Sequence, residues 1–539
     1  MKSLKCIVMA FLMILSAAFF SACNANSSQI IIVNVYDEVR SLDPLLASNP
    51  TEIAIANAAF YNLFMFNDDG GIVTQAAKSY EFSSGANPTL TIELRQNLYW
   101  ANGDKLTADC FLFSLQRAVK LGDDSPLAFY LGVIENARDI MDGILHYSEL
   151  GINTNGNYGL RINFEYGQTN ENFLHTLTLP ITAPTNRAFF ENTRGRYGLT
   201  YYHTLTNGAY AFTTFSEELV RLRPRENYNG ILANRGINIA INDSDVDTSG
   251  WVASRHAHVA IGPNFAFVSD NSLPFLEFYH EIYALHTNPA NTYLNGTGIH
   301  RALNLAIDNA ALEVRFNGIY TATCNLAAQD MRFRGLEISN EILRGWVRRS
   351  DSYGRDYYYN TGNLSHEFNP AWALERFQVA FPTGVSMPNL TLIFEDVPQM
   401  QLIAAEIAQS WQAHLNFHVR IIGLNRAELL RRIESENFDI ALRPISVPNA
   451  CLVALSHEFS DISKFTAAPQ NAGRTWFTPT TNFNEMNNNF ERFNSNFTHD
   501  DSMFTPLFQS ATHIFYQPNR LNHSPVLHPN GHINLRRLQ

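Results

Sequence analysis

Apolar and polar positions fall into two textures along this chain. In "TLTIELR", residues 89–95, Leu90, Ile92 and Leu94 share one face and Thr91, Glu93 and Arg95 the other, the period of a half-buried strand. "ANGD", Ala101 to Asp104, adds an Asn-Gly turn signal. Thr107 is placed to cap a helix whose apolar face is Phe111, Leu112, Leu115, Ala118 and Val119. The stretch 389–442 is more legible still. "NLTLIF" (389–394) predicts a strand, and Pro398 suits the first position of a helix capped by Asp396 or its neighbour. Met400, Ile403, Ala404, Ile407, Ala408, Trp411 and Leu415 then recur at three- and four-residue steps. "FHVRII" (417–422) is the next strand, "RAELLRRI" (426–433) a helix capped by Asn425, and "FDIAL" (438–442) a third strand.

This β-α-β-α-β order predicts an α/β lobe with a parallel sheet and right-handed crossovers. Ligands of such lobes bind beyond the carboxyl ends of the strands. The segment just past Leu442 is therefore an expected ligand-facing loop.

The chain has 539 residues, room for about three domains of ordinary size. Hydrophobic residues at 45% against charged residues at 16% point to a globular protein. The formal net charge is -12 with no Lys/Arg-rich run, so no nucleic acid partner is expected. The first residues read as a targeting segment: Lys2 and Lys5, then the apolar "CIVMAFLMILSAAFF", too short to span a bilayer as a mature helix. "FSAC" resembles a bacterial lipobox, in which Cys23 is diacylated after cleavage, with Phe20 at the position usually held by Leu. Residues 1–22 are then a signal peptide and 23–30 a lipidated tether, and no later run is expected to cross a membrane. Cys110, Cys324 and Cys451 are too scattered for a disulfide framework or a zinc site and read as packed thiols.

Catalytic motifs do not emerge. The pairs His280-Glu281, His366-Glu367 and His457-Glu458 do not continue as HExxH, and no GxSxG, GxGxxG or Walker-type loop occurs. No catalytic residue, metal or cofactor is expected, and binding is the better default than an enzyme.

"LRQNLYWANGDKLTADCFLFSLQRAVK", residues 94–120, resembles the signature of the family 5 extracellular solute-binding proteins, which include the oligopeptide-binding proteins of ABC importers. Leu94, Arg95, Trp100, Asn102, Gly103, Thr107, Ala108, Phe111, Ser114 and Arg117 match its pattern, and Cys110 stands where an acid is usual. "SLDPLLA" (41–47), "NLFMFNDDGGIVTQAAKSYEFS" (62–83), "LTNGAYAF" (205–212), "IHRALNLAIDNAAL" (299–312) and "TPLFQS" (505–510) resemble further family blocks in the same order.

The resemblance implies a two-lobe periplasmic-binding-protein type II fold with an extra subdomain, the three-domain cluster C arrangement. The first lobe is expected at 28–70, 197–284 and 506–539, the extra subdomain at 71–196, and the second lobe at 285–505. It implies a monomer in the cell envelope, periplasmic or extracytoplasmic. Oligopeptides are trapped between the lobes and delivered to ABC permease subunits. Peptide backbone is expected on Ala47, Ser48 and Asn49 of the first lobe and on 443–447 of the second. There "RPISVPNAC" (443–451) departs from the family's "GWxADY": Pro444 replaces Gly and removes an N–H, Ile445 replaces Trp, and Pro448 replaces the Asp that meets the peptide amino terminus. Losing such a charge-assisted bond costs roughly 1.5–3 kcal/mol. Ser446 and Val447 complete that stretch. Either specificity has shifted, to a capped peptide, a sugar, a metal chelate or another solute, or another acid such as Asp439 or Glu458 compensates. Arg432 and Arg443 are candidates to face a ligand carboxylate, and Tyr130 matches an aromatic near the family cleft, with core packing an equal reading. A surface receptor or adhesin on the same scaffold is the further alternative.

Overall fold

The structure is a computed structural model. It describes residues 30–538 except 84–87, 166–172, 227, 229–233, 243–247, 263–272, 289, 295–297, 317–319, 324–325, 327, 329–331, 334–335, 338–345, 351–355, 361–367, 382–387, 447–503 and 529–530.

One mixed sheet of eleven strands runs through the molecule. Its chain order begins with β1 (Ile30–Val35). A separate four-stranded antiparallel sheet follows, made of β2 (Ala77–Phe82), β3 (Thr89–Leu94), β4 (Ile152–Asn155) and β5 (Gly159–Asn163) in the order β2-β3-β5-β4. The large sheet resumes with β6 (Tyr210–Phe215), β7 (Leu219–Pro224), β8 (Gly236–Ile241), β9 (Val259–Gly262) and β10 (Phe275–Thr287). It is completed by β11 (Leu390–Glu395), β12 (Val419–Leu424), β13 (Ile440–Ser446) and β14 (Phe504–Tyr516). Across the sheet the order is β12-β11-β13-β10-β14-β9-β1-β8-β7-β6, with the short strand 321–322 paired to β14.

The two long strands explain this layout. β10 and β14 have 13 residues each and pair antiparallel along their whole length. Val259–Gly262 of β9 pairs with His513–Tyr516 at one end of β14, whereas β13 pairs with Glu281–Thr287 at the other end of β10. The ladder shifts register between Tyr279 and Glu281 and again between Tyr283 and Ala284, between the two halves.

The expected unit at 389–442 is present. β11 pairs parallel with β12 and with β13. The helices between them are α4 (Pro398–Leu415) and α5 (Arg426–Glu434), numbered after α1 (Pro50–Ala59), α2 (Ala108–Leu121) and α3 (Thr248–Ala253). Met400, Ile403, Ala404, Ile407, Trp411 and Leu415 are buried, as their spacing requires. One local expectation fails. Thr107 precedes α2 but makes no capping bond, because its hydroxyl turns to Cys110 Sγ at 3.6 Å. Val397, the neighbour of Asp396, holds the cap position of α4 without a side-chain bond, and Asp396 accepts from Gln401 Nε2 at 2.6 Å. The Asn-Gly turn forms as expected: Gly103 takes φ +91°, and Trp100 N–H donates to Asp104 O at 2.8 Å.

Packing separates the two ends of the sheet. One core joins β1, α1, α2 and the four-stranded sheet; another joins α4, β11 and residues 294–320. β10 serves both through its period of two: Ile282 and Ala284 belong to the first core, Tyr283 and Leu285 to the second. The four-stranded sheet and its helix are tied to the first end by the Arg117–Asp43 ion pair at 2.6 Å and by Ser125 Oγ donating to Leu45 O at 2.6 Å.

Candidate ligand-binding site

Strand directions locate the site. β1 runs parallel to β9, and both β9 and β10 run antiparallel to β14. β1 therefore points the same way as β10, and β13, antiparallel to β10, points the opposite way. The carboxyl ends of β1 on one side and of β11 and β13 on the other approach the middle of β10 and β14 from opposite directions. In open α/β sheets, ligands bind at such converging ends.

The side chains gathered there are charged. Glu281 lies at the midpoint of β10, opposite Ser446 of β13. Arg426, the first residue of α5, forms ion pairs with Glu281 and with Glu395 at the end of β11, the latter at 3.0 Å. Tyr283 Oη is shared between Glu281 Oε2 at 3.0 Å and Glu395 Oε2 at 3.3 Å. Asn425 holds α5 in place by accepting from Glu428 N–H at 2.9 Å, which fixes where Arg426 begins. From β1 come Tyr36 and Asp37, and Asp37 accepts from Thr51 Oγ1 at 2.8 Å.

Their electrostatics follow from crowding. Desolvation raises Asp37 above the usual carboxylate range against the opposing Thr51 hydrogen bonds. Desolvation raises Glu395 too, outweighing Arg426. Tyr36 is raised by burial and then by the charges of Asp37 and Glu281, so it is a neutral donor. Arg426 thus pairs with Glu281 and Glu395, and its charge also lowers Asp37 against the desolvation. A cavity of about 20 Å³ lies beside Asp37, lined by Tyr36, Asp37, Thr51, Phe278, Thr512 and Ile514, among others.

The residues singled out from sequence are placed as follows. Ser446 sits beside Glu281, and Pro444 and Ile445 pair with Tyr283 and Ile282, so the strand continues through Ser446. The expected loop just past Leu442 is therefore strand, held by the long partner β10, and Val447 lies outside the described residues. Arg443 is buried, its guanidinium 5.6 Å over the Phe504 ring. Arg432 donates to Glu428 at 2.8 Å near the carboxyl end of α5, remote from Arg426. Ala47 is buried, Ser48 donates through N–H and hydroxyl to Glu52 at 2.8 Å each, and Asn49 caps α1. Tyr130 is buried and stacked on Phe129 at 4.3 Å. Asp439 accepts from Asn291 and Thr391 just before the amino end of β13, far from Ser446. Pro448 and Glu458 lie outside the described residues, as do Cys324 and Cys451, whereas Cys110 is a buried free thiol.

Sequence reasoning missed Tyr36, Asp37, Glu281, Tyr283, Glu395 and Arg426. The rule applied past Leu442 would have marked Glu395, at the end of "NLTLIF", and Arg426, directly after the Asn425 cap. Glu281 stood in a His-Glu pair considered only as a metal motif. Among the described residues no group of three or more His, Cys, Asp or Glu can hold a metal ion.

Comparison with known proteins decides the family. The description "Bacterial extracellular solute-binding proteins, family 5 Middle" matches residues 71–449. The chain belongs to this family. Family 5 relatives include a dipeptide-binding protein of Lactococcus lactis, 28% identical over 214 residues, 39% of this chain and 38% of that protein. The periplasmic murein peptide-binding protein MppA of Escherichia coli is 34% identical over 139 residues, 25% of this chain and 26% of that one. These alignments span a quarter to two fifths of the relatives' length. Solved structures match over nearly the whole fold. Haemophilus influenzae OppA in complex with RPPGFSPFR has a TM-score of 0.74 at 17% identity, covering 94% of this chain and 98% of that one. MppA of Escherichia coli gives 0.73 at 19% identity, covering 91% and 94%. The family 5 fold is the two-lobe type II periplasmic-binding-protein architecture with an extra subdomain.

Proposed function

We propose that this chain captures oligopeptides between two hinged lobes and delivers them to ABC permease subunits. The observation that carries the reading is the convergence of β1, β11 and β13 on the Glu281–Arg426–Glu395 cluster. A peptide offers this crevice an ammonium for its carboxylates and backbone groups for a strand edge. β13 supplies that edge: β11 pairs only with Ile440 and Ala441, so among the described residues Leu442–Ser446 is paired on the β10 side alone. Pro444 lowers the number of N–H donors there. The structurally similar Haemophilus influenzae OppA above is a complex with the peptide RPPGFSPFR.

The lobes are taken as 28–70, 197–284 and 506–539 against 285–505, with 71–196 as the subdomain. The hinge is the shifted ladder at Tyr279–Ala284. Ligand contacts to both sides favour the closed state, and no covalent step is needed. The chain acts as a monomer in the cell envelope, held by lipid on Cys23.

Denaturing extraction of the purified mature chain, followed by mass spectrometry, tests the reading. A mixture of short peptides is expected. Recovery of a single non-peptide solute, with peptide libraries leaving thermal stability unchanged, would replace peptide by that solute on the same site.

A further inference from the structure

Three arginines from separate connections meet at the end of the sheet opposite the cleft. β8 begins at Gly236, level with Ile30 of β1, so Arg235 stands at the amino end of both strands. β9 begins at Val259, level with Val33, and the residues leading into it, Arg255 to His258, extend toward that same end. β14 runs antiparallel to β9 with Tyr516 opposite Val259, so the chain through Arg520 continues the same way. The three touch directly: Arg235 Nη1 donates to Arg520 O at 3.0 Å, and Arg520 Nη1 donates to Arg255 O at 3.3 Å.

Arg255 and Arg520 are exposed, and Arg235 is half-buried. None of the three forms an ion pair among the described residues. Their mutual repulsion is visible in their neighbours. His258 is held down at about 4 by burial and then by Arg520 and Arg235. Arg235 is lowered by burial and then by Arg520. The acid nearest in sequence to this end is the exposed Glu226, just after β7. On a chain with net charge -12, such a face runs against the bulk.

The tether gives this face its partner. Ile30 is seven residues from Cys23, and seven residues span at most about 25 Å. A lipid on Cys23 therefore keeps the amino end of β1 within about that distance of the bilayer. We propose that the Arg235/Arg255/Arg520 face rests on the anionic phospholipid headgroups of the membrane that carries the anchor. In that orientation the cleft, one strand length of about 20 Å away along β1, faces the medium. Solute is captured in this parked state, and delivery requires release of the face. The choice of membrane as partner rests on the lipid-anchor reading of Cys23; the face itself does not.

The test uses the mature chain with Cys23→Ser, so that no acyl chain contributes. It is sedimented with vesicles of phosphatidylcholine alone or mixed with phosphatidylglycerol. Binding is expected only with phosphatidylglycerol, and it should weaken as salt rises. Each cation near an anionic surface contributes about fivefold, so R255E/R520E should weaken binding by roughly 25-fold. Thermal stability and solute binding of that variant should match the parent. Equal sedimentation with both vesicles, an unaffected double variant, or binding to soluble dextran sulfate without binding to vesicles overturns the proposal. The mass of Cys23 in chain extracted from membranes is read separately. An unmodified Cys23 removes the anchor reading, while the vesicle result still decides the arginine face.

Discussion

At the residue scale, Arg426 is the counter-charge on which the crevice depends. Its guanidinium bridges Glu281 on the long central strand and Glu395 at the end of β11. Glu281 is only 5% exposed, so losing Arg426 removes a counter-charge from a nearly buried carboxylate. Arg426→Gln is expected to cost about 1–3 kcal/mol in urea unfolding. The partial exposure of Arg426 places the loss toward the lower end. Adding Glu395→Gln to that variant should recover part of the loss, because it removes one of the two carboxylates that Arg426 had paired. A double variant no better than the single one would show that Glu395 is not coupled to Arg426.

At the scale of elements, the C-terminal segment is held on α1 by buried polar groups. Arg536 Nη2 donates to Asn57 O at 2.6 Å and Phe60 O at 3.0 Å at the end of that helix, and His532 Nε2 lies 2.9 Å from Asn57 Nδ2. Burial and then Arg536 hold His528 down at about 4; burial holds His175 at about 4; and His532 is lowered by burial and then by His528 and His175. All three stay neutral in the fold. Below their unfolded value of about 6.5, the unfolded chain takes up protons that the folded chain refuses. Their contribution is therefore present above about pH 6.5 and lost as pH falls toward about 4. Thermal unfolding is expected to shift downward across that window, and a flat profile would contradict the assignment.

The same scale shows what was legible. Strands and helices of 389–446 could be read because Leu390, Leu392 and Phe394, and the stripe from Met400 to Leu415, repeat their burial locally. The extension of β13 to Ser446 was hidden, because Pro444 reads as a strand breaker and only the distant β10 supplies the partner. Tyr36, Glu281 and Arg426 are far apart in sequence, and each alone resembles a surface residue. Their meeting depends on the opposite directions of β1 and β13, which no local pattern encodes.

At the scale of the molecule, two cores share one sheet through β10 and β14, whose ladder shifts register at Tyr279–Ala284. On the proposed reading the irregular ladder between the two cores is the hinge, since irregular pairing bends at low cost. The charged crevice lies beside this stretch, and a ligand bridging β1 and β13 is then expected to act on it. X-ray scattering of the ligand-stripped mature chain, titrated with a mixture of short peptides, tests this most directly. The account predicts a saturable fall in the radius of gyration that Arg426→Gln weakens. Peptide binding detected by calorimetry with no change in the radius of gyration would contradict it.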